Sequence, residues 1–134
     1  MKKYLLYIII LLIGSNSYSQ INKKGIPFIK NYTKEEFKAS DQNWAVCQDL
    51  RGVMYFGNND DGVLAFNGNT WEKISVHNNM VRSLAVDSLG TVYVGGNNEF
   101  GYLAPDLNGK LKYYSLSDQV SDTINFKEIW KIYT

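Results

Sequence analysis

The sequence predicts an all-β chain of four-stranded antiparallel meanders, the unit from which a β-propeller is built. Three observations predict it. A pattern of Asp, Gly and Tyr recurs at an offset of 38 residues, each copy holds four short apolar runs parted by turn residues, and residues 40–116 lack helical periodicity. Four strands recurring at that interval match the spacing of a propeller blade.

Composition bounds the rest. A chain of 134 residues allows one ordinary domain, and a hydrophobic fraction of 45% argues against a fully disordered one. Fourteen basic residues against thirteen acidic leave a net charge of +1, which gives no reason to expect nucleic acid or an anionic membrane as partner. One cysteine cannot form an internal disulfide, nor assemble a zinc site with a single histidine.

Residues 1–19 read as a signal peptide. Lys2 and Lys3 form a positive start, Tyr4 to Ile13 are ten consecutive apolar residues, and Ser17-x-Ser19 offers a small-residue cleavage site before Gln20. Ten apolar residues are too few to span a bilayer, which takes about 20. No cysteine follows for lipid attachment. Export is therefore expected, with Cys47 an unpaired thiol that packs as a small apolar side chain.

Residues 20–43 are a lead-in. Within it Gly25-Ile-Pro-Phe-Ile-Lys-Asn-Tyr-Thr33 resembles the last strand of a blade, in the place of Trp71-Glu-Lys-Ile-Ser75, and would complete the final blade of a closed ring. Lys34-Glu-Glu-Phe-Lys38 reads as a short solvated helical turn or loop.

Residues 44–80 form the first blade and 81–123 the second. Asp49, Gly52, Tyr55 and Gly57 match Asp87, Gly90, Tyr93 and Gly95, and Gly62 matches Gly101 after one inserted residue. Strands are expected at 44–48, 53–57, 63–66 and 71–74, then at 81–86, 91–95, 100–104 and 111–116. Asp49-Leu-Arg-Gly52 and Asp87-Ser-Leu-Gly90 join the first two runs of each copy. The Asp side chain can accept backbone amides across such a turn, and Gly supplies the left-handed position that closes it. Val53-Met-Tyr-Phe56 and Val92-Tyr-Val94 are continuous apolar runs, as suits strands covered on both faces. A β-sandwich or stacked solenoid is the alternative architecture. Residues 124–134 start a third copy, Ile129-Trp-Lys-Ile132 matching Asn43-Trp-Ala-Val46 and Val81-Arg-Ser-Leu84. A ring needs at least four blades. The chain is therefore expected to be the N-terminal part of a longer protein, its first partners being the remaining blades of that parent, and the incomplete ring is expected to self-associate.

Candidate chemistry is sparse. His77 lies in a polar loop between the copies without a visible partner, and Cys47 has no paired histidine. Asp60-Asp61 lacks calcium-loop spacing and reads as turn chemistry, with Asn97-Asn-Glu99 in the same place in the second copy. The glycines form no phosphate-binding loop. Trp44, Trp71 and Trp130 read first as core and second as sugar-stacking surfaces. No catalytic or metal-binding residue and no cofactor are expected, and ligand-binding residues are not assignable.

The repeated Asp-x-x-Gly-x-[aliphatic]-Tyr-[apolar]-Gly pattern, at Asp49–Gly57 and Asp87–Gly95, resembles the two-component regulator propeller repeat. Asn31-Tyr-Thr-Lys-Glu-Glu-Phe37, Gln42-Asn-Trp-Ala-Val46, Val53-Met-Tyr-Phe-Gly-Asn58 and Asn97-Asn-Glu-Phe-Gly-Tyr-Leu103 extend the resemblance over residues 25–134. That repeat builds periplasmic sensor domains of membrane-bound regulators in the Bacteroidota, among them those with a triple-tyrosine (Y_Y_Y) domain. The resemblance implies non-catalytic ligand sensing outside the inner membrane, with a small molecule or glycan fragment as ligand and a homodimer as one arrangement open to the intact sensor. It also implies a membrane anchor and an output domain, such as a histidine kinase, beyond this segment. A fragment of a propeller enzyme, of polysaccharide lyase or quinone dehydrogenase type, and a secreted scaffolding or adhesion propeller are the other readings.

Overall fold

A computed structural model describes residues 25, 28–120, 124 and 126–134. The expected signal peptide and most of the lead-in lie outside the described residues. The chain divides into two units, Met1–Asn31 and Tyr32–Thr134. In the first, Phe28 and Ile29 are exposed. No strand is formed by the described residues ahead of residue 43.

The second unit is nearly all β. A single helical turn, α1 (Lys34–Phe37), opens it: the Thr33 amide donates to Glu36 Oε2 at 2.7 Å and Lys38 closes it in the left-handed region. Two four-stranded antiparallel meanders follow, of the propeller-blade type. The first holds β1 (Asn43–Gln48), β2 (Met54–Asn58), β3 (Val63–Phe66) and β4 (Trp71–Ile74), and the second β5 (Val81–Val86), β6 (Val92–Gly96), β7 (Phe100–Pro105) and β8 (Leu111–Ser115). Every strand lies within a residue of its expected bounds.

The sheets pack along their first strands. β5 lies against β1 and β2, while β4 and β8 hardly meet, so the sheets fan apart from a shared inner edge. The core fills the wedge between them. Tyr55, Val63, Ala65 and Ile74 from the first sheet meet Val81, Val92, Val94 and Leu103 from the second, with Val76 of the connecting loop between. Period-two alternation puts Phe56, Phe66 and Trp71 on the opposite face of the first sheet, where Tyr32 and Phe37 cover them. That aromatic layer explains why α1 docks where it does.

Gly57 sets the spacing of the sheets. A Cβ there would come within 2.7 Å of Val81 Cγ1, and one on Gly95 within 2.7 Å of Ile129 Cγ2. The glycine of each copy is thus a notch that admits the first inner residue of the next. Ile129 also donates its amide to Gly96 O at 3.0 Å, and Ser83 Oγ donates to Ile129 O at 2.6 Å. Residues 129–134 therefore lie along β5 as β5 lies along β1.

Candidate functional site

The ten residues of the repeated motif act on the fold itself. Asp49 is buried, and its Oδ1 accepts the amides of Arg51 (2.9 Å) and Val53 (3.0 Å). Its Oδ2 accepts the Arg51 guanidinium at 2.8 Å and the Tyr55 hydroxyl at 3.1 Å. Burial opposes ionisation of Asp49, but the Arg51 side chain and the two amides outweigh it and hold the carboxyl below its ordinary value. Burial, then the bond to Asp49, push the Tyr55 phenol up to about 12. Asp87 repeats the turn, accepting the amides of Leu89 (2.9 Å) and Thr91 (2.8 Å), with Tyr93 adding a weaker pull. Gly52 and Gly90 close the two turns at φ +85° and +87°. Gly62 has φ +76°, whereas Gly101 lies within the ladder of β7 under Tyr113 and Tyr114, so these aligned glycines serve different ends.

A different set of side chains converges at the loop end of the sheets. Both inner strands carry a β-bulge at the same place, between Asn43 and Ala45 and between Val81 and Ser83. The bulged residues are Trp44 and Arg82, and the aligned residue of the third copy is Trp130. A bulge takes one residue out of the alternation and re-aims its side chain. All three meet. The Arg82 guanidinium carbon lies 4.8 Å from the Trp44 ring centre and 5.3 Å from that of Trp130, and the two indoles meet edge to face at 5.5 Å. Asn59 Oδ1 accepts from Arg82 Nη1 at 2.7 Å and from Trp44 Nε1 at 3.1 Å, and Glu128 Oε1 accepts from Arg82 Nε at 3.3 Å.

The guanidinium is nearly enclosed while the indoles stay open, Trp44 at 43% and Trp130 at 54% exposure. Each cation–π contact contributes about 1 kcal/mol when partly desolvated. The cluster therefore holds its own shape and leaves two indole surfaces partly open to solvent. Such faces bind flat apolar surfaces, and the edges of Asn59 and Glu128 add hydrogen-bonding groups beside them.

The sequence had placed the tryptophans in the core first. Trp71 is indeed packed among aromatic rings, but Trp44 is half open because the bulge turns it out, and Trp130 is half open beside it. His77 is exposed in the loop between β4 and β5. Cys47 is half-buried on β1, and burial, then the Asp49 charge, push its thiol up to about 11, which makes it a poor nucleophile. Asp60 and Asp61 form a turn in which Asn58 Oδ1 accepts both their amides at 3.1 Å. Asn58 itself is fully buried and ties Ser40 and Asn43 to β2. Among the described residues no group of three His, Cys, Asp or Glu could hold a metal, and no helix is long and apolar enough to cross a membrane.

Asn59, Glu128 and Asp106 were missed; the sequence marks a turn at Asn108-Gly109, but not that Asp106 makes it a third Asp-x-x-Gly turn. That turn was legible: Asp106 Oδ1 accepts the amides of Asn108 (2.8 Å) and Lys110 (3.0 Å) as its counterparts do. Glu128 had no sequence signal, since its partner Arg82 lies 46 residues away. No protein-family model and no curated protein matches the chain.

Proposed function

We propose that the chain is the N-terminal part of an exported β-propeller sensor domain of a membrane-bound signal-transduction regulator, and that it senses without catalysis. The supporting observation is the convergence of Trp44, Arg82 and Trp130, one aligned position in three consecutive copies, on a single half-open cluster. In a complete ring the same position would recur around the axis. A small molecule or glycan fragment stacked on the two indoles would bear on β1, β5 and the third copy together. Ligand that favours one setting of those strands would shift the sheets as bodies, which is the form a relay to a membrane anchor requires.

The test is made in the source cell with the chromosomal gene carrying Trp44→Ala and Trp130→Ala. The sensor reading expects a set of transcripts to lose induction by its stimulus while the protein is exported at its normal level, its mature N-terminus at or near Gln20. Unchanged transcription with lost adhesion or lost hydrolysis would replace the sensor with a scaffold or an enzyme. An uncleaved Met1 would remove export.

A further inference from the structure

Each sheet places a carboxylate in the loop between its second and third strands and balances it differently. In the first, Asp61 accepts from Lys73 Nζ at 2.8 Å and from the Ser40 amide at 2.9 Å. In the second, Glu99 stands in the corresponding loop. Phe56 and Val94 are equivalent, and their partners Leu64 and Gly101 pair in turn with Lys73 and Ser115, so Ser115 occupies the place of Lys73. Its hydroxyl donates to Glu99 Oε1, and Tyr113 Oη, at 2.6 Å, and Ser117 Oγ donate to the same oxygen. Three hydroxyls replace one ammonium, and none of them carries charge.

Glu99 is only 5% exposed, and a cavity of about 250 Å³ opens against it. His77, Asn78, Ser117 and Asp118 line it with Glu99, and Ile124 and Phe126 add apolar wall; the exposed imidazole of His77 is the one nitrogen base among the described residues there, which include no lysine or arginine. Holding a carboxylate away from water without a cation is unfavourable, and the first sheet resolves that with its own lysine.

We propose that this cavity binds the primary ammonium group of a small molecule, which takes beside Glu99 the place that Lys73 takes beside Asp61. An ammonium has three donors, matching Glu99 together with the Asn78 and Ser117 oxygens, and its alkyl part would rest on Ile124 and Phe126. A multivalent metal fits less well, because the described residues offer no group of three acidic or imidazole ligands. The site is separate from the tryptophan cluster and stands without it.

The full exported protein is titrated with n-butylammonium chloride and followed by amide and indole NMR shifts, with n-butanol and potassium chloride in parallel. Saturable shifts at Asn78, Asn98 and Ser117 are expected with the ammonium alone. Glu99→Gln should weaken binding at least tenfold, and Ser115→Lys, which supplies an internal ammonium, should abolish it while Ser115→Ala retains it. Unchanged Trp44 and Trp130 indole signals identify the variants that are folded, and Ser115→Lys gives the answer if Glu99→Gln is not. Absence of saturable shifts, equal shifts with n-butanol or potassium, or undiminished binding by Ser115→Lys would overturn the proposal.

Discussion

Tyr55 and Tyr93 hold the same position in two copies of one motif, yet Tyr55 is 1% exposed and Tyr93 only half-buried. The hairpins beneath them match amide for amide. The difference lies in what covers the face: a whole sheet lies over Tyr55, while residues 129–134 lie on the equivalent side of the second sheet. The motif therefore specifies the hairpin, and the next copy specifies how much burial the hairpin gains. Local hydrogen bonding and burial of the face are separable here, and each can be broken alone.

The largest contrast should come from the notches. Gly57→Ala drives a Cβ into Val81, held within β5, and should destabilise the fold by about 2 kcal/mol, in the range of overpacked cores. Gly95→Ala meets the Ser83 hydroxyl, which can rotate away, and Ile129 in a segment with fewer restraints, and should cost less, by urea unfolding of both variants. Equal losses would mean that residues 129–134 hold as firmly as β5 does.

Tyr55→Phe comes next. It strips a buried hydroxyl from Asp49 and Arg51 and should cost about 1 kcal/mol, whereas Tyr93→Phe should stay within about 0.5 kcal/mol. A loss at Tyr93 as large as that at Tyr55 would erase the distinction drawn from burial.

Acid should act on both turns. Asp49 and Asp87 are held below their ordinary values in the fold, so each stabilises above the unfolded carboxyl value of about 4 and loses that contribution as pH falls through its folded value. Asp49, which burial opposes but Arg51 and Tyr55 support, has more to lose. Asp49→Asn should therefore flatten the acid limb of stability between about pH 4 and pH 2 more than Asp87→Asn, followed by circular dichroism. Matching limbs would show that the amide bonds alone set the shift.

Lys73→Met should have the smallest effect, under about 1 kcal/mol, because the Lys73–Asp61 pair is partly exposed. A larger loss would show that the first sheet depends on its internal cation more than the second depends on three hydroxyls.

The strands were legible because their signals are local. Turn residues and apolar runs lie within a few positions of the bonds they make, so Asp49, Gly52, Asp87 and Gly90 could be read directly. Gly57 and Gly95 were legible as a recurrence but not as notches, since the residues they admit are 24 and 34 positions further on. The tryptophan cluster was legible only as an alignment of Trp44, Arg82 and Trp130. Nothing in the residues announces a bulge, and without it period-two alternation assigns those side chains to the wrong face. Glu99 was hidden for a further reason: its significance lies in what Ser115 is not.

The bulge also separates inheritance from variation. Frame residues such as Asp49, Gly57 and Tyr55 are copied into the next repeat unchanged, while the position that bulges in the first two copies reads Trp and Arg there and Trp in the third. A side chain lifted out of the alternation can be exchanged without disturbing either face of its sheet. Duplicating the repeat thus multiplies a conserved frame and, at one address in each copy, leaves a site free to diversify.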